Sequence, residues 1–172
     1  MELINGWLDG IKHQYSPNYD ARDERPTLVV IHCASLPLGE FGNGLMEKLF
    51  MDEITAKTHP ELAHWLAGRV SAHVWIDRQG ELTQFVSCDD KAWHAGRSSF
   101  NGREACNDFS IGIELEGCDH LPYTDAQYVS LNAVLKALKA VYPIKAVVGH
   151  EHIAPGRKTD PGPLFDWSRV IK

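Results

Sequence analysis

Residues 149–163, G-H-E-H-I-A-P-G-R-K-T-D-P-G-P, crowd two histidines, a lysine and an aspartate into a segment stiffened by three prolines. Asp160 precedes Pro161, which pushes its backbone toward the extended region, and in an extended segment Lys158 and Asp160 project to one side. One can then bind a cation while the other faces substrate. Two imidazoles and one carboxylate form a ligand set suited to catalytic zinc, with a position left open for water. His150 and Asp160 supply two members of that set. His32, which closes the apolar run L-V-V-I-H, is the candidate for the third.

A lone histidine more often satisfies a backbone group than binds a metal. Here both imidazoles emerge at the ends of expected strands, where open α/β sheets place their ligands. A carboxylate in mid-strand also needs a reason. The run S-I-G-I-E-L-E-G puts Ile111, Ile113 and Leu115 on one face and Gly112, Glu114 and Glu116 on the other. If the second face meets the metal pocket, Glu114 can take a proton from a water acidified by zinc and return it to a leaving amine. Lys158 can donate to the oxyanion formed when an amide carbonyl is attacked. The bland alternatives are a polar surface for Glu114 and a solvated loop lysine.

Other candidates read as support. Cys33 faces away from His32 on an extended strand and is assigned to packing. His152 shares a face with His150 only in an extended segment, so it is placed around the ligands rather than among them. H-P-E-L-A-H at residues 59–64 lacks the i, i+4 spacing of the H-E-x-x-H zinc helix and reads as helix start and core. Trp93 and His94, in W-H-A-G, read as a substrate wall.

To position these groups the chain offers five β-rich segments, at residues 28–32, 69–76, 82–86, 110–117 and 146–149. The turn sequence D-R-Q-G at residues 77–80 predicts an antiparallel hairpin between the second and third. T-D-A-Q offers a capping box from Thr124 to Gln127, and the apolar spacing Tyr128, Leu131, Leu135, Leu138, Tyr142 predicts a helix stopped by Pro143. A weaker helix is expected over residues 44–51, and a short helical turn after Pro60. The expected fold is α/β: one domain over residues 1–172, with a mixed sheet of about five to six strands covered by helices. Residues 87–109 are long and aperiodic, and are assigned to the rim of the site.

Composition excludes several classes. A net charge of −6 with scattered Lys and Arg argues against nucleic acid. No stretch approaches the length of a membrane span, and the first residues lack a basic, apolar leader, so a cytoplasmic protein is expected. The four cysteines have no C-x-x-C spacing and are expected as free thiols.

The blocks N-G-W-L, S-L-P-L-G-E-F-G, R-V-S-A-H-V, K-A-W-H-A-G, C-N-D-F-S-I-G-I-E-L-E-G, Y-T-D-A-Q-Y and G-R-K-T-D-P-G-P occur in this order along nearly the whole chain. In these blocks the sequence resembles the amidase_2 family of zinc N-acetylmuramoyl-L-alanine amidases, to which peptidoglycan-recognition proteins also belong. The resemblance implies zinc on His32, His150 and Asp160, a general base at Glu114 and oxyanion stabilisation by Lys158. It implies a bacterial cytosolic enzyme of cell-wall recycling, with an indirect effect on β-lactamase induction. The bond cut would join the lactyl group of 1,6-anhydro-N-acetylmuramic acid to L-alanine in a small soluble muropeptide, with no obligatory protein partner. The chain departs from the family pattern at Cys33 and Ala105, where relatives carry Asn and Arg. An anionic substrate needs local positive charge, for which Arg69, Arg97 and Arg103 are candidates. Two rival functions are a muropeptide-binding module without catalysis and a zinc peptidase acting on the stem peptide.

Overall fold

The computed structural model describes residues 1–55, 58 and 69–171. The motif at residues 59–64 and the helical turn expected after Pro60 lie outside them. In chain order the described elements are β1 (Leu3–Ile4), β2 (Trp7–Leu8), β3 (Lys12–His13), β4 (Tyr19–Ala21), β5 (Leu28–Ala34), α1 (Leu45–Phe50), β6 (Val74–Ile76), β7 (Leu82–Gln84), β8 (Asp90–Ala92), β9 (Ser99–Phe100), β10 (Arg103–Glu104), β11 (Ser110–Glu116), α2 (Asp125–Val141), β12 (Ala146–Gly149) and α3 (His150–Ile153).

A six-stranded mixed sheet runs in the order β12-β5-β11-β6-β7-β3. The first four strands are mutually parallel, β7 returns antiparallel to β6, and β3 lies parallel to β7 at the edge. The β6–β7 turn forms at D-R-Q-G as expected. Gly80 takes positive φ, and its amide donates to the Asp77 carbonyl at 3.0 Å.

Helix α2 begins with the expected box: the Thr124 hydroxyl accepts from the Gln127 amide and the Gln127 side chain accepts from the Thr124 amide, both at 3.1 Å. Its apolar stripe, Tyr128, Leu131, Val134, Leu135 and Leu138, is buried against Val29 and Ile31 of β5, Val74 and Ile76 of β6, and Ile111, Ile113 and Leu115 of β11. Each such side chain contributes about 1.5–3 kcal/mol on leaving water, and together they anchor the parallel strands. On α1, Leu45, Met46, Leu49 and Phe50 are buried. No described helix is long and apolar enough to cross a membrane.

Several expected boundaries differ, and the strand expected over residues 82–86 ends at Gln84. In the segment expected to be strand over residues 69–76, only Val74–Ile76 is strand, because Ser71 bonds instead to the backbone of Asn18 and Trp93. β5 continues past His32 to Ala34. Residues 87–109 carry the short strands β8, β9 and β10, with β8 paired to β4.

Candidate active site

The parallel register sets Glu114 of β11 directly beside His32 of β5, and Gly149, the residue before His150, beside Ile31. His150 opens α3 at the end of β12. The turn after α3, held by amides of Arg157 and Lys158 donating to the Ala154 carbonyl, brings Asp160 back over the strand ends. Three side chains far apart in sequence thus meet. His32 Nδ1 lies 2.9 Å from His150 Nδ1, and the Asp160 carboxylate lies 3.1 Å from the first and 3.2 Å from the second.

These three atoms have at most one proton to share. His150 Nε2 faces the Ala95 carbonyl at 3.0 Å and must donate to it, which leaves Nδ1 of the neutral ring as a bare lone pair. Burial pushes His32 below its ordinary pKa, opposed by Asp160, so it too brings at most one proton. Converging lone pairs with so few protons call for a cation. The three edges are close to the roughly 3.3 Å between ligands of a tetrahedral zinc with bonds near 2.0 Å, and all three donor atoms lie within 4.8 Å of one another.

Glu114 and Glu116 show how position separates two like residues. Glu116 is buried but satisfied, accepting from the Gly42 amide at 2.6 Å and the Arg78 amide at 3.1 Å. Glu114 Oε2 is buried without a partner among the described residues. Burial first, and then the charge of Asp160, push the Glu114 carboxyl well above the ordinary carboxylate range, while Lys158 pulls it back.

The cleft beside these groups encloses about 540 Å³. It is lined by the apolar Leu36, Leu38, Met46, Leu49, Phe50 and Val70 together with Trp93, Glu114, Lys158 and the three clustered residues. Trp93 is held by its indole N–H donating to Asp20 at 2.7 Å. His94 also borders the cleft but is buried, and its ring meets His32. Lys158 is the one Lys or Arg among the described lining residues. Arg69, Arg97 and Arg103 are not part of the lining. Arg69 pairs with Asp52 at 3.5 Å, and Arg103 is paired to Glu24 over the Phe109 ring. Arg97 gives its carbonyl to Arg157.

Cys33 packs against the α2 core, its thiol 3.5 Å from the Asp119 carboxylate and pushed up by burial. His152 turns from the cluster because α3 is helical: its Nδ1 accepts from the Gly149 amide and its ring lies on Trp167.

A family model described as N-acetylmuramoyl-L-alanine amidase, Amidase_2, matches residues 22–163. The chain belongs to this amidase family. It is 56% identical over 173 residues to the 1,6-anhydro-N-acetylmuramyl-L-alanine amidase AmpD of Escherichia coli K12, covering 98% of this chain and 94% of the relative. The crystal structure of a Se-Met AmpD derivative superposes with a TM-score of 0.95 at 55% identity, covering 98% of this chain and 97% of that one. The E. coli amidase AmiD, solved with the substrate anhydro-N-acetylmuramic acid-L-Ala-D-gamma-Glu-L-Lys, matches with a TM-score of 0.65 at 32% identity, covering 85% of this chain and 56% of that one. The mixed sheet is therefore a fold shared with this amidase family.

Two arginines around the site carry no local sequence signal. The Arg22 guanidinium donates to the carbonyls of Asp90, Asn107, Asp108 and Ser110, stapling the site-side loops. Arg157 donates to the Ala95 carbonyl at 2.8 Å, the same oxygen that holds His150. Both act across long sequence separations, which no window of neighbouring residues displays.

Proposed function

We propose that this amidase hydrolyses the amide between the lactyl group of 1,6-anhydro-N-acetylmuramic acid and L-alanine in small muropeptides of the bacterial cytosol, using zinc held by His32, His150 and Asp160. The convergence of three electron-pair donors beside the orphaned Glu114 oxygen carries the proposal. When bound, zinc supplies Lewis acidity to the amide carbonyl and to a water, and offsets the Asp160 charge that raises Glu114. Glu114 takes the proton of the attacking water and returns it to the alanine nitrogen as the C–N bond breaks. Lys158 donates to the oxyanion on the lactyl carbon. The apolar lining of the cleft and Trp93 exclude water and hold the sugar-lactyl portion. AmpD and AmiD, named for or solved with anhydro-muramyl substrates, support this substrate class.

The test uses a defined anhydro-muramyl peptide, with products weighed by mass spectrometry. Glu114→Gln should retain zinc and lose about 10²–10⁴-fold in turnover, whereas Asp160→Ala should lose both zinc and turnover. Near-normal turnover in either variant, or cleavage within the stem peptide, would overturn the proposal.

A further inference from the structure

A chain of hydrogen bonds behind His32 has a direction that can be deduced from its far end. The Ser110 Oγ lies 2.6 Å from the Cys106 carbonyl, which can only accept, so the Ser110 hydroxyl proton points there. The same Oγ, 3.1 Å from His94 Nε2, must then accept from that ring. His94 Nδ1 is left bare. It lies 2.9 Å from His32 Nε2 and must take that proton as a hydrogen bond. The chain therefore ends with His32 Nδ1 unprotonated and facing His150 and Asp160.

From this geometry we infer that His94 is a positioning residue: resting on the zinc reading above, it locks His32 in the tautomer and orientation that present the Nδ1 lone pair to the metal. The neighbouring Ala95 carbonyl does the same for His150. Two consecutive residues of the W-H-A-G motif thus orient both imidazoles, a use distinct from lining the cleft. The outer nitrogen of a metal-binding histidine is commonly held this way, and losing the partner costs about 10–100-fold in metal affinity.

A second observation marks the seat as built for this ring. A Cβ at Gly112 would lie 2.4 Å from His94 Cγ and 2.6 Å from its Nδ1. Gly112 lies on the same strand face as Glu114, so the gap in that row of side chains is filled by the imidazole.

The experiment measures zinc affinity by competition with a chelating dye, and the His32 tautomer by long-range ¹⁵N NMR of the chelated, metal-free protein. The parent should show His32 protonated on Nε2. His94→Leu should bind zinc about 10–100-fold more weakly and lose the single tautomer. His94→Asn, whose side-chain oxygen can replace Nδ1 as acceptor, should recover most of the affinity. Gly112→Ala, which evicts the ring without touching its chemistry, should behave like His94→Leu. Should His94→Leu not fold, Ser110→Ala removes the anchor of the proton direction and should mix the His32 tautomers. Parent-like zinc affinity in folded His94→Leu, or a proton on Nδ1 of His32 in the parent, would overturn the inference. A parent that binds no zinc refutes the metal reading alone, and the tautomer measurement then decides the role of His94.

Discussion

On the α2 face of the sheet, Val29, Ile31, Ile111, Ile113 and Leu115 meet Leu131, Val134, Leu135 and Leu138. One residue along the same strands, the opposite face carries His32, Gly112, Glu114 and Glu116. The first face is hydrocarbon against hydrocarbon, with attraction spread over many weak contacts and no required direction. The second combines two smaller apolar clusters, one around Leu28 and Val30 and one around Trp75 and Phe50, with a set of directed pairs in which each lost donor or acceptor strands its partner in a low dielectric. Period-two alternation lets one ribbon hold both. The α2 face carries the larger apolar cluster and the other face carries the groups that can bind, so damage to Leu131 and damage to the polar row should appear in different measurements.

The largest effect on stability should come from the α2 face. Leu131 is fully buried, and Leu131→Ala should cost about 2–5 kcal/mol in urea unfolding of the metal-free protein. Zinc affinity, measured where the variant is still folded, should match the parent. A zinc affinity that falls along with stability would join the two faces and break the comparison. His94→Leu is the mirror case, expected to move affinity more than folding.

A pH experiment sharpens the contrast. His73, behind the site, accepts from the Gly112 amide at 3.0 Å through Nδ1 and sets Nε2 against the Asp90 carbonyl at 3.1 Å. Burial, then the charge of Arg22, push its pKa down to about 3. The folded protein thus leaves His73 neutral through a range in which the unfolded chain, with pKa about 6.5, takes up a proton. Stability from this group is fully present above about pH 6.5 and is lost as pH falls toward 3, at about 1.4 kcal/mol per unit. Between pH 6.5 and 5 the loss should approach about 2 kcal/mol. Replacing His73 by Gln should flatten that part of the profile, and an unchanged slope would remove His73 from the account.

The same contrast explains what the sequence disclosed. Alternation at Ile111, Ile113 and Leu115, the T-D-A-Q cap and the D-R-Q-G turn are local, so strand, helix and hairpin were legible within a few residues. His32, His150, Asp160 and Glu114 stood out as candidates because imidazoles at strand ends and a carboxylate in mid-strand are costly without a task, and the structure brings the first three within 4.8 Å of one another. Arg22, bonded to carbonyls 68 to 88 residues away, leaves no local trace. His94 was visible as a motif, but the role argued for it depends on Ser110 and Gly112, whose positions only the register of β11 reveals. For Arg69, Arg97 and Arg103 the direction an exposed side chain takes is not written in neighbouring residues: here Arg69 pairs with Asp52 and Arg103 with Glu24.

The smallest effect tests a place where the two faces meet. The Thr124 hydroxyl caps α2 through the Gln127 amide and also donates to the Arg78 carbonyl at 2.9 Å. Gln127 in turn donates to the Glu116 carbonyl at 2.8 Å, at the end of the strand that carries Glu114. Thr124→Ala removes the cap and should cost about 1 kcal/mol, with Thr124→Ser restoring most of it by thermal melting. If the faces are independent in function, turnover and zinc affinity should not change. A loss of turnover in Thr124→Ala that Thr124→Ser repairs would mean that the helix cap, through Gln127 and the end of β11, helps hold Glu114 at its working position.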